Sequence, residues 1–346
     1  MDKRRIRKIE HVKYSLMLEN RLKRNNFDDI VLLNNCLSEV DLDEIDLTTN
    51  LQGLRLENPI IINAMTGGFF GGEIINRQLS KIAKNLKLAM AVGSQKIAVD
   101  NPLNEKSFKI VREINPDGII FANIGADASI DDVNKAINML NADALQIHLN
   151  VPQELAMKEG RKKFKGTLDN IKSILNNVDV PVVVKEVGFG ISGKQALTLV
   201  KEGIKILDVS GKGGTNFISV ENKRNRTSAL KHLESWGIPT PVSIIDVNKA
   251  VGDRADIIAS GGLFTGADCA KCFALGAKAA AFAGSFLYIL KKKGPRALHT
   301  HVKQILKEIK HIMVMTGSKN LKELRRAEVR VLGNTFYWLK SKDIIR

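Results

Sequence analysis

Eight short apolar runs, each ended by polar or glycine residues and followed by helical periodicity, predict a TIM (β/α)8 barrel with an N-terminal basic arm and C-terminal helices. Two further observations agree. The runs lack clean apolar–polar alternation, as strands buried on both faces do, and the helical stretches between them imply βαβ units in a parallel sheet. At 346 residues, a single barrel uses most of the chain.

Residues 1–57 form a lead-in, residues 58–294 the barrel, and residues 295–346 read as helices packed outside it. The lead-in begins with a basic arm, Arg4-Arg5-Ile6-Arg7-Lys8-Ile9-Glu10-His11, and a helix through Leu18 and Leu22. Two readings of the arm stand side by side: a solvated tail, or a clamp in which Arg7, Lys8 and His11 grip phosphate oxygens. The eight runs are Pro59 to Ala64, Leu88 to Val92, Gly118 to Ile124, Ala144 to Asn150, Val180 to Val187, Ile204 to Ser210, Ala255 to Ser260 and Ala277 to Ala283. After the sixth, Glu221 to Arg226 reads as a charged loop, a candidate lid.

Composition narrows the function. A formal net charge of +16 suits an acidic partner, but an aromatic content of 5% offers few stacking platforms for single-stranded nucleic acid. An anionic small molecule is the better expectation, with no nucleic acid. No run of 18 apolar residues and no apolar stretch behind Met1-Asp2-Lys3-Arg4-Arg5 appear, so no membrane partner and a soluble, cytoplasmic protein are expected. Cys36, Cys269 and Cys272 cannot make a disulfide framework, and the Cys-x-x-Cys pair reads as helix core.

In such a barrel the chemistry gathers at the C-terminal strand ends. Strand four carries Gln146, His148 and Asn150 on one face and Leu145, Ile147 and Leu149 on the other, and Pro152 puts Gln153 and Glu154 into a loop or the next helical turn. Strands one, two, three and six end in Asn63-Ala64-Met65-Thr66-Gly67-Gly68, Gly93-Ser94-Gln95-Lys96, Ala122-Asn123-Ile124-Gly125 and Asp208-Val209-Ser210-Gly211-Lys212-Gly213-Gly214-Thr215. On strand five, Lys185 lies among valines, where it needs an anionic partner, either a ligand or a structural carboxylate. Strands seven and eight end in Ser260-Gly261-Gly262-Leu263-Phe264 and Ala283-Gly284-Ser285, the place where barrels bind phosphate through backbone N–H groups. A phosphate pocket, one lysine and many amide or hydroxyl donors suit flavin mononucleotide (FMN). No Gly-x-Gly-x-x-Gly opens a helix after the first strand, which argues against a Rossmann-bound nicotinamide.

Taken together, Arg7-Lys8-x-x-His11, Met65-Thr66-Gly67-Gly68, Gly93-Ser94-Gln95, His148-Leu149-Asn150-x-x-Gln153-Glu154, Lys185-Glu186-x-Gly188 and Ala259-Ser260-Gly261-Gly262 resemble the type 2 isopentenyl-diphosphate isomerases. The resemblance covers nearly the whole chain. It implies interconversion of isopentenyl and dimethylallyl diphosphate by a 1,3-proton shift on reduced FMN, with Mg²⁺ and with NADPH as the flavin's reductant. It also implies a homo-oligomer, a tetramer or octamer. Arg7, Lys8, His11, Ser94 and Lys96 would hold the diphosphate; His148, Asn150 and Gln153 would surround the substrate, with Gln153 and His148 the catalytic candidates; Glu154 would hold the metal. Met65, Thr66, Gly67, Ser94, Asn123, Lys185, Ser210 and Thr215 would bind the flavin ring or ribityl chain, and Gly261, Gly262, Leu263, Phe264, Ala283 and Gly284 its phosphate. One departure from the family is Lys96, where Arg is usual: a point charge replaces a planar fork. Gln153 is a poor acid, so a flavin nitrogen is the expected proton carrier.

Three rivals fit less well. A 2-hydroxy-acid oxidoreductase needs a histidine base near a carboxylate-binding arginine, which the strand-six cluster lacks. A dehydrogenase using a nucleophilic cysteine needs it on a barrel loop, but Cys269 and Cys272 fall on a helix. A basic nucleic-acid-binding module would show a steep salt dependence and no flavin.

Overall fold

The computed structural model describes residues 3–19 and 27–345. Eight parallel strands close into a barrel: β1 Ile60–Ile62, β2 Ala89–Ala91, β3 Ile120–Gly125, β4 Ala144–Leu149, β5 Val182–Glu186, β6 Ile206–Asp208, β7 Asp256–Ser260 and β8 Ala279–Phe282. Each pairs with its sequence neighbours, and β8 closes on β1 through Ala280 opposite Ile60. Seven strands lie within their expected runs, and β3 extends one residue past its run, to Gly125.

The barrel interior is divided along its axis. At the N-terminal end Ile61, Phe121, Val183 and Ile258 point inward, and the hairpin Thr49–Leu51 with Leu54–Leu56 inserts Leu51 and Leu56 beneath them. This floor is dry. At the C-terminal end, pleat alternation turns Asn63, Asn123, Gln146, Lys185 and Asp208 inward, all buried. A second core fills the space between strands and helices, with Ile60, Ile62, Leu145, Ile147 and Leu207 facing outward onto it. Cys269 and Cys272 belong there, on Gly266–Ala274, and burial pushes both thiols well above the usual range. They are packing residues.

Three features differ from the sequence expectation. The C-terminal segment is not wholly helical: Val329–Val331 pairs antiparallel with Ile30–Leu32, joining the two ends of the chain. Two three-residue strands are too short to announce themselves without the partner 300 residues away, roughly speaking. The stretch 221–226 is not a free loop, because Phe217–Arg224 is a helix and Glu221 is fully buried. The arm forms the helix Lys3–Glu19, whose expected continuation to Leu22 falls outside the described residues. Near the far end, Gly294 at φ 87° interrupts Gly284–Met315, so that Pro295 starts a second helix.

Candidate active site

The strand ends open into one cavity of about 760 Å³. All the residues expected to bind substrate, cofactor or metal line it, from Arg7 in the arm to Gly284 after β8. Six Lys or Arg side chains (Arg4, Arg7, Lys8, Lys96, Arg161, Lys185) face three carboxylates (Asp127, Glu154, Glu159), so the cavity is built for an anion.

Barrel pleating places the strand-four residues. His148 pairs with Lys185 across the β4–β5 ladder, and Lys185 with Asp208 across β5–β6, so three chemically different side chains sit side by side. Lys185 Nζ donates to the Glu186 carbonyl at 2.6 Å and lies 3.9 Å from Asp208 Oδ2. The anionic partner required by its burial is thus internal, while its head still reaches the cavity. Burial, and then the nearby Lys185 charge, hold the half-buried His148 down to about 4, so its ring is neutral at physiological pH. Glu186 anchors the following loop: its Oε2 accepts N–H groups of Val187 (2.7 Å), Gly188 (3.0 Å) and Phe189 (2.6 Å). Burial pushes its carboxyl up to about 7 against those hydrogen bonds.

Beyond β4, Val151–Ala156 is a short helix with Pro152 in its first turn. It carries Gln153 and Glu154 toward the cavity. Asn150 Nδ2 donates to Glu154 Oε1 at 3.0 Å, and the Arg161 N–H donates to Glu154 Oε2 at 2.6 Å. Asn150 Nδ2 is also 3.4 Å from Gln153 Oε1, so one amide organises both neighbours.

The arm helix closes one side. Lys8 Nζ donates to the Ser94 carbonyl at 2.8 Å and sits 5.4 Å from the Phe108 ring centroid. Burial of its ammonium, with Arg7 and Arg4 nearby, lowers Lys8 to about 7. Arg224 holds the helix down: its guanidinium meets Glu10 at 2.8 Å, Glu221 at 2.7 Å and Glu159. His11 Nε2 lies 2.6 Å from Glu221 Oε1, so His11 is engaged by a buried carboxylate as well as lining the cavity. Lys96 is gripped by Asp100 (2.8 Å) and Asp132 (3.0 Å); burial opposes its charge, but these two partners outweigh it and raise its pKa.

The opposite end fits a phosphate. Gly284 opens a helix whose N-cap is Ala283, which has no side-chain acceptor, so its first N–H groups remain for a ligand. Gly261 (φ 100°) and Gly262 (φ 80°) turn the β7 loop against the β6 loop so closely that a Cβ on Gly262 would fall 2.5 Å from the Gly213 carbonyl carbon. Only glycine permits this shape. The uncapped helix, the bare backbone and the cation-lined cavity fit FMN. For a divalent cation, the described residues hold no group of three or more His, Cys, Asp or Glu. A single carboxylate fits Mg²⁺ only when ligand phosphates complete the shell.

Sequence reasoning leaves Asn63 and Asp208 at strand ends without a role, and Glu221 and Arg224 in a charged loop, and so misses what they do in the site. Gln146 was placed on the polar face of its strand without a role. Glu221 and Arg224 share one face of a helix at i, i+3, a pairing visible only once that segment is known to be helical.

A closed barrel with a phosphate cradle after its last two strands defines a class of flavin-dependent barrel enzyme, and residues 97–331 match the family of FMN-dependent dehydrogenases. Solved structures agree on the fold: a mandelate oxidase mutant (TM-score 0.68, 16% identity, 93% of this chain and 92% of that one) and a lactate oxidase of Pediococcus acidilactici (TM-score 0.69, 15% identity, 93% and 87%). Within that class the chain belongs to the isopentenyl-diphosphate delta-isomerases, and is an isomerase. Relatives of that name from Geobacillus sp. (strain WCH70), Bacillus licheniformis and Symbiobacterium thermophilum are 43%, 41% and 41% identical over 97%, 98% and 99% of this chain and 96%, 96% and 97% of their own lengths.

Proposed function

We propose that this protein interconverts isopentenyl and dimethylallyl diphosphate by a 1,3-proton shift, with bound FMN, Mg²⁺ and NADPH as the flavin's reductant. The observation that carries this reading is that the arm helix brings Arg7, Lys8 and His11 onto the cavity that also holds Gln153 and Glu154, about 140 residues later in the chain. When bound and reduced, FMN supplies an electron-rich ring that stabilises positive charge as a double bond is protonated.

The chain's residues prepare the rest. Arg7 and Lys8, with the Ser94 hydroxyl, hold the diphosphate, and Lys96, shared with Asp100 and Asp132, contributes less than a free cation. Glu154 holds Mg²⁺ against the diphosphate oxygens. Gln153, 8% exposed and steadied by Asn150, positions the carbon chain beside the flavin, with His148 on its polar side. Met65, Thr66, Gly67, Asn123, Lys185, Ser210 and Thr215 take the ring and ribityl chain, and Gly261, Gly262, Leu263, Phe264, Ala283 and Gly284 the FMN phosphate. As part of the same reading the protein works as a cytoplasmic homo-oligomer of four or eight copies. No helix among the described residues is long and apolar enough to cross a membrane.

The direct test is NMR observation of isopentenyl diphosphate turnover with FMN, NADPH and Mg²⁺; absence of dimethylallyl product overturns the reading. Purified protein should also be yellow with stoichiometric FMN, and a colourless preparation that cannot be reconstituted would remove the flavin role. Deleting residues 1 to 8 should raise the substrate KM by about 10-fold or more, since charge-assisted phosphate contacts contribute roughly 1.5–3 kcal/mol. An unchanged KM would return the arm to a solvated tail.

A further inference from the structure

We propose that Asp208, Asn63 and Gln146 form a directional hydrogen-bond relay inside the barrel that, through Asn123, fixes His148 as the Nδ1–H tautomer with a bare Nε2 toward the ligand. They are positioning residues. The inference builds on reading His148 as a ligand-facing residue of the isomerase site.

The direction of the relay is set at its deep end. Asp208 Oδ1 accepts the Ser210 N–H at 3.2 Å and the Ser260 hydroxyl at 2.5 Å, and its Oδ2 faces Asn63 Nδ2 at 2.7 Å with Lys185 Nζ at 3.9 Å. A backbone N–H can only donate, so Asp208 Oδ1 is an acceptor, and Oδ2 faces the Lys185 ammonium as its ion-pair partner, which leaves it an acceptor toward Asn63 as well. Asn63 must therefore present its NH₂ to Asp208. A second anchor agrees, because Asn63 Oδ1 accepts the Ala64 N–H at 2.9 Å.

Each later amide inherits its orientation. Asn63 Oδ1 also accepts Gln146 Nε2 at 3.0 Å, which turns Gln146 Oε1 toward Asn123 Nδ2, again at 3.0 Å. Asn123 then has only Oδ1 left for His148 Nδ1, 3.0 Å away. An amide oxygen carries no hydrogen. His148 Nδ1 must donate, and in a neutral imidazole that leaves Nε2 unprotonated.

Burial makes the relay decisive. Asn63, Asn123, Gln146, Asp208 and Ser260 are all buried, even those at the cavity wall, so water competes little for their polar atoms, and reversing one amide would set donor against donor or acceptor against acceptor. Around the ring, Lys185, Lys8 and Arg161 oppose a second proton while Asp127 favours it. The functional consequence is specific: His148 offers the ligand an acceptor. It can receive a hydrogen bond from a metal-bound water or a protonated ligand oxygen, and it cannot donate to an ionised phosphate oxygen.

The test is ¹⁵N solid-state NMR of the purified full-length protein labelled at histidine, with FMN bound as isolated. The His148 signals are assigned by their loss in His148→Gln. The expected result is a protonated Nδ1 and a bare Nε2 for His148 at pH 7.5. Finding the proton on Nε2 overturns the proposal, whatever the enzyme's activity proves to be. Gln146→Leu should release the constraint and give a mixed or Nε2–H population, while Gln146→Glu, which keeps an acceptor toward Asn123, should retain Nδ1–H. A Leu variant that folds normally and keeps the wild-type tautomer would show that the relay does not set it. Should Gln146→Leu fail to fold, loss of Nδ1–H in Gln146→Glu would equally count against the relay.

Discussion

Replacing Glu154 with Gln is expected to shift the Mg²⁺ titration of activity to concentrations about 10- to 100-fold higher and to lower kcat/KM on the order of 100-fold at fixed Mg²⁺. Glu154 is the carboxylate beside Gln153 that can meet a diphosphate-bound cation, and an amide is a poorer ligand for a hard ion. The structure adds a second cost. Glu154 accepts from Asn150 Nδ2 on one oxygen and from the Arg161 N–H on the other, so a Gln amide must set its NH₂ against one of these donors. Losing that hydrogen bond costs about 1–3 kcal/mol locally. Thermal melting and the flavin spectrum separate this from general unfolding. An unchanged Mg²⁺ titration removes Glu154 from the metal role.

Lys8→Met should raise the substrate KM by roughly 10- to 100-fold with little change in kcat, since it removes the proposed charge-assisted contact to the diphosphate while keeping an apolar stem against Phe108. The pH dependence is the sharper signature. In the free protein, burial and the neighbouring Arg7 and Arg4 charges hold Lys8 at about 7, below its usual range. A bound diphosphate raises it again, so ligand binding selects the protonated form. Affinity is therefore full below pH 7 and falls as pH rises through it, with KM climbing about tenfold per pH unit above 7. Lys8→Arg should abolish that rise, because a guanidinium stays charged throughout. A wild-type KM that is flat from pH 7 to 9 would overturn the argument.

Much of the barrel was legible because its strands announce themselves locally. A run such as Ile60–Ile62 is apolar on both faces, and each of the eight runs holds an observed strand, β3 reaching one residue further. The glycines after β7 and β8 were legible for a similar reason, since a backbone that must turn at positive φ beside another backbone leaves its mark as Gly261 and Gly262. The pairing of Ile30–Leu32 with Val329–Val331 was not, because three residues carry no usable periodicity and their stability comes from each other. Nor was the fate of Glu221. In a charged stretch it looked solvated, and it is fully buried between His11 and Arg224.

The sequence alone determined which residue types stand at the C-terminal strand ends, because the order of strands dictates the order of loops in a barrel that closes on itself. It also determined that Lys185 needs an anion, since desolvation acts on any buried ammonium. Only the tertiary structure decided that this anion is Asp208, that the arm's cations face Glu154, and that Asn63, Gln146 and Asn123 pass a hydrogen-bond direction from Asp208 to His148. Those relations are distances between residues far apart in the chain, and they arise when closure of the barrel brings β1, β3, β4 and β6 to one axis.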